Sequence, residues 1–167
     1  MIVFDASTLI LAAKSELLDV FLTNVETVVR IPRAVERECC GAQKTFDSLT
    51  IEKAIDESRI EVTTAGNRKL VNKLESDFRL GRGEAEAVGL ALNDRAQLLC
   101  IDDKQGINAC RLLSVPFTTA LAILIRCREK RLFDRETSLA RLALVAKYGR
   151  YKNAILEDAR NQLEAQS

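Results

Sequence analysis

Two short apolar runs in this chain end on aspartate: Ile2-Val3-Phe4 on Asp5, and Leu98-Leu99-Cys100-Ile101 on Asp102 and Asp103. Runs of this length and composition read as strands of a parallel sheet buried on both faces. In open α/β sheets ligands bind beyond the carboxyl ends of the strands, so the two acidic strand ends are expected to share one site. Two glutamates join them on helical spacing. Glu84 lies on one stripe with Ala87, Val88 and Ala91, the face of a helix that packs on a core, whereas Glu86 falls mostly outward with Gly89 and Asn93. After Pro32, Glu38 shares a face with Ala34 and Val35, and Arg33, Glu36 and Arg37 lie off it.

Four carboxylates, Asp5, Glu38, Glu84 and Asp102, converging in a partly dry pocket raise one another's pKa unless a cation compensates. Hard divalent cations such as Mg²⁺ or Mn²⁺ prefer oxygen ligands and leave water positions open. The chain has no histidine, which removes Ser-His-Asp triads, Cys-His nucleophiles and histidine acid–base nucleases together. Cys39, Cys40, Cys100, Cys110 and Cys127 form no C-x-x-C and have no histidine to complete a mixed zinc site. They are expected to be reduced, several of them packed as small hydrophobes. Any catalysis therefore rests on carboxylates, metal or lysine. Taken singly, each acid also has an ordinary structural use: Asp5 or Asp102 can cap the helix that follows, and an inward glutamate can pair with an arginine.

The elements that would position these acids alternate. After the first strand, Ser7 can cap a helix through Leu9, Ile10, Ala13 and Leu17, and a turn with Leu18, Phe21 and Leu22 follows. Thr27 to Ile31 is rich in β-branched residues and reads as the second strand, and Pro32 suits the start of a helix. A helix near 45–58 leads to a third strand at Ile60 to Thr63, and residues 66–80 form a polar helix or a long excursion. Gly81 and Gly83 punctuate the chain before a helix from Glu84 to Asn93. Then come the strand at 98–101, a helix near 104–113, a brief strand from Val115 to Phe117 and a helix over 118–130. This order predicts an α/β fold with a central parallel sheet of about four to five strands, helices on both faces and right-handed crossovers. Two further helices, hinged near Gly149, are expected over 134–165. The domain reading is one unit over 1–130, with residues 131–167 as a helical extension packed on it.

The 167 residues suit a single core without disulfides or structural metal. Net charge is only +1, but it is segregated. Residues 1–103 carry 13 basic and 18 acidic groups, net −5; residues 104–152 carry 11 and 3, net +8; the remainder carries 1 and 3, net −2. A basic second half beside clustered acids can hold a polyanion over a cation pocket, or it can be a solvated surface. Met1 leads straight into a strand that meets an acid, without a basic start and apolar core, and the longest apolar stretch, Ala120 to Ile125, is far too short to span a bilayer. A cytoplasmic protein without a membrane segment is expected.

The stretches "VFDAS", "IPRAVERE", "GRGEAEAVGLAL" and "LLCIDDKQG" together resemble the PIN-domain ribonucleases, in particular the prokaryotic VapC-like branch written with G-E-A-E-A and I-D-D-K. The resemblance covers about residues 1–130. It implies a compact three-layer α/β/α domain and a Mg²⁺- or Mn²⁺-dependent RNase specific for single strands, often the toxin of a toxin–antitoxin pair, working as a homodimer. Carried over by position, Asp5, Glu38, Glu84 and Asp102 match the family's acids, and Asp103 is an auxiliary ligand, so Asp5, Glu84, Asp102 and Asp103 are the expected metal ligands. Ser7 takes the hydroxyl position two after the first acid, where it either orients Asp5 or caps the helix. Ile107 stands where the family pattern has an arginine. Lys104, Arg111 and Arg126 are the candidate phosphate contacts, the last within a patch with Arg128, Lys130 and Arg131 that also suits the end of a helix.

Two other readings stand beside the nuclease. One is a catalytically inactive domain of the same fold that binds RNA or a regulatory partner. The other is a phosphate-transfer domain of receiver or dehalogenase type; the dehalogenase pattern wants an aspartate two after the first, and this chain has Ser7 there.

Overall fold

A computed structural model describes residues 1–41 and 44–165; residues 166 and 167, the end of the expected extension, lie outside the described residues. Five strands, β1 (Ile2–Phe4), β2 (Val29–Pro32), β3 (Glu61–Thr63), β4 (Leu98–Cys100) and β5 (Phe117–Thr118), form one sheet in the order β3-β2-β1-β4-β5. Every neighbouring pair is parallel. β1 is central because its three residues, all buried, satisfy the rule that an apolar run with covered faces belongs inside a parallel sheet.

The alternation of side chains along a strand divides the core in two. Ile2 and Phe4 of β1 and Cys100 of β4 face one cluster, while Val3, Leu99 and Ile101 face the other. The first cluster is built on α1 (Ala6–Lys14), α2 (Leu18–Asn24), α3 (Arg33–Cys39) and α4 (Phe46–Asp56). It also takes in α8 (Ala120–Glu129), α9 (Arg135–Tyr148) and α10 (Asn153–Ala165). The second is built on α5 (Arg68–Phe78), α6 (Arg82–Asn93) and α7 (Lys104–Leu112). This is a three-layer α/β/α fold with C-terminal helices.

Leu142 and Val145 of α9 and Ala159 and Leu163 of α10 belong to the same cluster as Phe4 and Leu9, and α9 packs on α1 and α8 as well as on α10. Cys39, Cys100, Cys110 and Cys127 are buried, and all five cysteines are free; burial pushes the Cys110 thiol up to about 11. Among the described residues no helix is long and apolar enough to cross a membrane.

Several element ends depart from the sequence reading. Residues 66–80 do hold a helix, α5, capped by Asn67, whose side chain accepts from the Leu70 amide. Helix α6 starts at Arg82 and takes Gly83 into its first turn. Asp5, and not Ser7, caps α1. The chain enters that helix directly from the strand, so the first side chain able to reach the free N–H of Thr8 is that of Asp5.

Candidate metal centre

The strand order changes direction at β1. The chain moves outward from β1 through β2 to β3, then returns to β4 on the other side of β1. Such a switch point opens a crevice at the carboxyl ends of the strands, and Asp5 and Asp102 lie there. The register pairs Phe4 with Cys100, so Asp5 follows its strand by one residue and Asp102 by two.

Asp5 is fully buried. Its Oδ1 accepts from the Thr8 amide at 2.9 Å and its Oδ2 from the Ser7 hydroxyl at 2.7 Å. Burial pushes its carboxyl up to about 7; the Thr8 and Ser7 hydroxyls and the Thr8 amide pull it down, and the charge of Asp102 adds to the rise. Asp102 is treated similarly. Its Oδ2 accepts from the Ala120 amide at 3.0 Å and its Oδ1 from the Tyr151 hydroxyl. Burial raises this carboxyl too, against the lowering effect of Tyr151, the Ala120 amide and Thr8. The Thr8 hydroxyl is close enough to lower both acids yet makes no hydrogen bond of good geometry and is wholly buried.

A second group of acids lies at the N-terminus of α6. Glu84 is half-buried and accepts from the Gly81 amide at 3.0 Å. Its carboxyl is raised, mostly by burial, with Asp103 and Glu38 adding to the rise and the Gly81 amide opposing it. Asp103 Oδ2 accepts from the Gln105 and Gly106 amides at 2.7 and 2.9 Å and so caps α7. Glu38 is exposed rather than inward. It lies in the last turn of the short helix α3, where the face of Ala34 and Val35 carries it over the start of α6; a Cβ added at Gly83 would stand 3.0 Å from its Oε2.

Glu86 overturns the outward reading. It is 8% exposed, accepts from Arg82 Nε at 2.8 Å and from the Ala34 amide at 3.4 Å, and so joins α6 to α3. The two-face arithmetic fails because α6 has no solvent face over most of its length: α5 covers one flank, α3 another and the sheet a third.

Lys104 and Arg111 line a cleft of about 980 Å³ that ends on Asp102. Arg126 does not reach it. It pairs with Glu129 at 2.7 Å and lines a separate pocket with Ile2 and Leu98, at the opposite ends of the strands. Arg128 reaches toward the Leu163 and Phe133 carbonyls at 3.5 Å, holding α8 to its neighbours. Sequence reasoning missed Tyr151, Arg150, Lys152 and Arg79, which line the Asp102 cleft. The first three lie in the connector between α9 and α10, and only the return of those helices onto α8 brings them there; the sequence signal was the basic, aromatic string Arg150-Tyr151-Lys152 after Gly149.

The donor set at the switch point is all oxygen: the fully buried carboxylate of Asp5, the partly buried one of Asp102 and the buried Thr8 hydroxyl beside them. Among the described residues no three of the side chains histidine, cysteine, aspartate and glutamate stand close enough to enclose an ion. Two carboxylates suit Mg²⁺, which keeps several waters and is commonly held by only one or two acids. The residues present at the switch point, Asp5 and Asp102, thus fit a hard divalent cation.

A parallel five-stranded sheet between two helical layers, with acids at the switch point, makes an α/β/α fold with an acidic crevice. A family model described as a PIN domain (DUF3368) matches residues 1–165, and the chain belongs to that family. That match takes in α9 and α10 as well as the region that carries the motifs. No curated protein and no solved structure matches the chain significantly.

Proposed function

We propose that this protein is a Mg²⁺- or Mn²⁺-dependent endoribonuclease that hydrolyses phosphodiester bonds of single-stranded RNA. The observation that carries this reading is the pair Asp5 and Asp102. Two desolvated carboxylates on adjacent strand ends, each oxygen already accepting one donor, are costly to a fold unless a cation offsets their charge. When bound, the cation supplies Lewis-acid stabilisation of charge on the phosphate and acidifies water. Asp5 and Asp102 hold it, with water at its remaining positions; Glu84 and Asp103 present a second acidic group from α6 and α7. Glu38, exposed at the mouth, takes a proton from water. Lys104 and Arg111 hold the scissile strand's phosphates along the cleft. The toxin role, an antitoxin partner and a homodimer are part of the same proposal and rest on the motif resemblance; a cytoplasmic setting is proposed with them.

The test is cleavage of a mixed panel of single-stranded RNAs by purified protein with Mg²⁺, Mn²⁺ or EDTA, beside Asp5→Asn and Asp102→Asn. Metal-dependent cutting lost in both variants supports the reading. Cutting that both variants retain sinks it. Metal uptake and RNA binding without any cutting favour the inactive RNA-binding or regulatory module.

A further inference from the structure

We propose that Tyr151, from the connector between the two C-terminal helices, is a positioning residue that sets the orientation of the Asp102 carboxylate for metal. The inference rests on the metal-nuclease reading and deepens it.

A phenol has one proton to donate and lone pairs to accept. The Leu121 amide, in the first turn of α8, donates to the Tyr151 oxygen at 3.2 Å. The Leu121 amide and the Thr119 hydroxyl meet the phenol oxygen as donors, and its own proton goes to Asp102 Oδ1, because an ionised carboxylate can only accept. The second Asp102 oxygen is held by the Ala120 amide. Each oxygen of Asp102 thus spends one lone pair on the protein and keeps another for a ligand. Asp5 has the same arrangement, with the Thr8 amide on one oxygen and the Ser7 hydroxyl on the other. Tyr151 is to Asp102 what Ser7 is to Asp5. Ser7 is two residues from its acid, however, whereas Tyr151 is 49 residues away.

The backbone is shaped to hold the ring in place. A Cβ at Gly149 would come within 2.7 Å of the Val145 carbonyl and 3.0 Å of the Tyr151 ring. Only glycine lets α9 end so tightly that the ring folds back over the turn towards α8. Outer partners of this kind fix ligand orientation, and losing one costs roughly 10–100-fold in metal affinity.

The experiment is Mg²⁺ titration by calorimetry of the full chain and of Tyr151→Phe and Asp102→Asn, with melting in EDTA to check folding. Wild-type binding with a Tyr151→Phe affinity weaker by about 10-fold or more is expected. A second readout needs no change at Tyr151. The chain has two tyrosines and no tryptophan, so in Tyr148→Phe the near-UV absorption reports Tyr151 alone, and Mg²⁺ is expected to shift it with the calorimetric midpoint. A folded Tyr151→Phe with wild-type affinity, or a Tyr151 spectrum unmoved by bound Mg²⁺, overturns the inference and leaves the nuclease reading standing. A wild-type chain that takes up neither Mg²⁺ nor Mn²⁺, titrated in the same way, overturns both.

Discussion

The amide of Asp5 donates to the carbonyl of Cys100 at 3.0 Å, tying the first acid to the strand that delivers the second. The separation of Asp5 and Asp102 is therefore set by the ladder between β1 and β4, the centre of the sheet, and not by a loop. A site built on strand ends is rigid before any ligand arrives, as electrostatic preorganisation requires.

In metal-free protein the burial of Asp5 makes stability depend on pH. Its carboxyl titrates near 7 when folded and near 3.8 when unfolded, so between those values the folded state holds the extra proton and stability falls as pH rises. The loss begins above about pH 4, is complete above about pH 7, and is on the order of 4 kcal/mol. Urea unfolding in EDTA from pH 4 to 8 measures it. Asp5→Asn, which has no proton to lose, is expected to flatten the curve.

Metal should restore much of what this titration removes. Mg²⁺ at a hundred times its dissociation constant stabilises the protein by about 2.7 kcal/mol, which raises Tm by roughly 5–10 °C for a chain of this size. Thermal melts with Mg²⁺ and with EDTA at pH 8 compare the two states. The shift is expected to vanish in Asp102→Asn.

Glu84 and Glu86 are expected to separate activity from stability. Glu86→Gln weakens a buried, charge-assisted link between α6 and α3 and should cost about 1–3 kcal/mol in urea unfolding with turnover per folded molecule unchanged. Glu84→Gln should lower metal-dependent cleavage at least ~10-fold, the scale for losing a group that orients or holds metal, and leave unfolding nearly unaltered. The reverse pattern would mean that Glu86 is the functional acid of the pair.

Phosphate contacts are expected in the Asp102 cleft alone. Lys104→Ala with Arg111→Ala should weaken single-stranded RNA binding and reduce the slope of log K against log salt by about 1.4, two contacts at ~0.7 each. Arg126→Ala, whose guanidinium pairs with Glu129 at the other end of the strands, should change neither. Fluorescence anisotropy of a labelled oligonucleotide across a salt series distinguishes them.

The sheet was legible in the sequence because runs such as Ile2-Val3-Phe4 and Leu98-Leu99-Cys100 announce buried parallel strands, and the acids closing them announce where a ligand belongs. The family followed from four short motifs in order. What the sequence alone determined was thus local: which segments are strands, and which acids end them. Tertiary structure decided the rest. Glu86 is buried because three elements surround α6, and a helical wheel assumes one wet face. Glu38 emerges beside the start of α6 because the last turn of α3 turns Cys39, and not Glu38, into the core. Arg126 and Lys104 belong to one basic segment, yet they lie at opposite ends of the strands, because α8 runs away from the carboxyl ends where α7 begins. Tyr151 meets Asp102 only through the return of α9 and α10 onto α8, a contact between distant segments that no periodicity encodes.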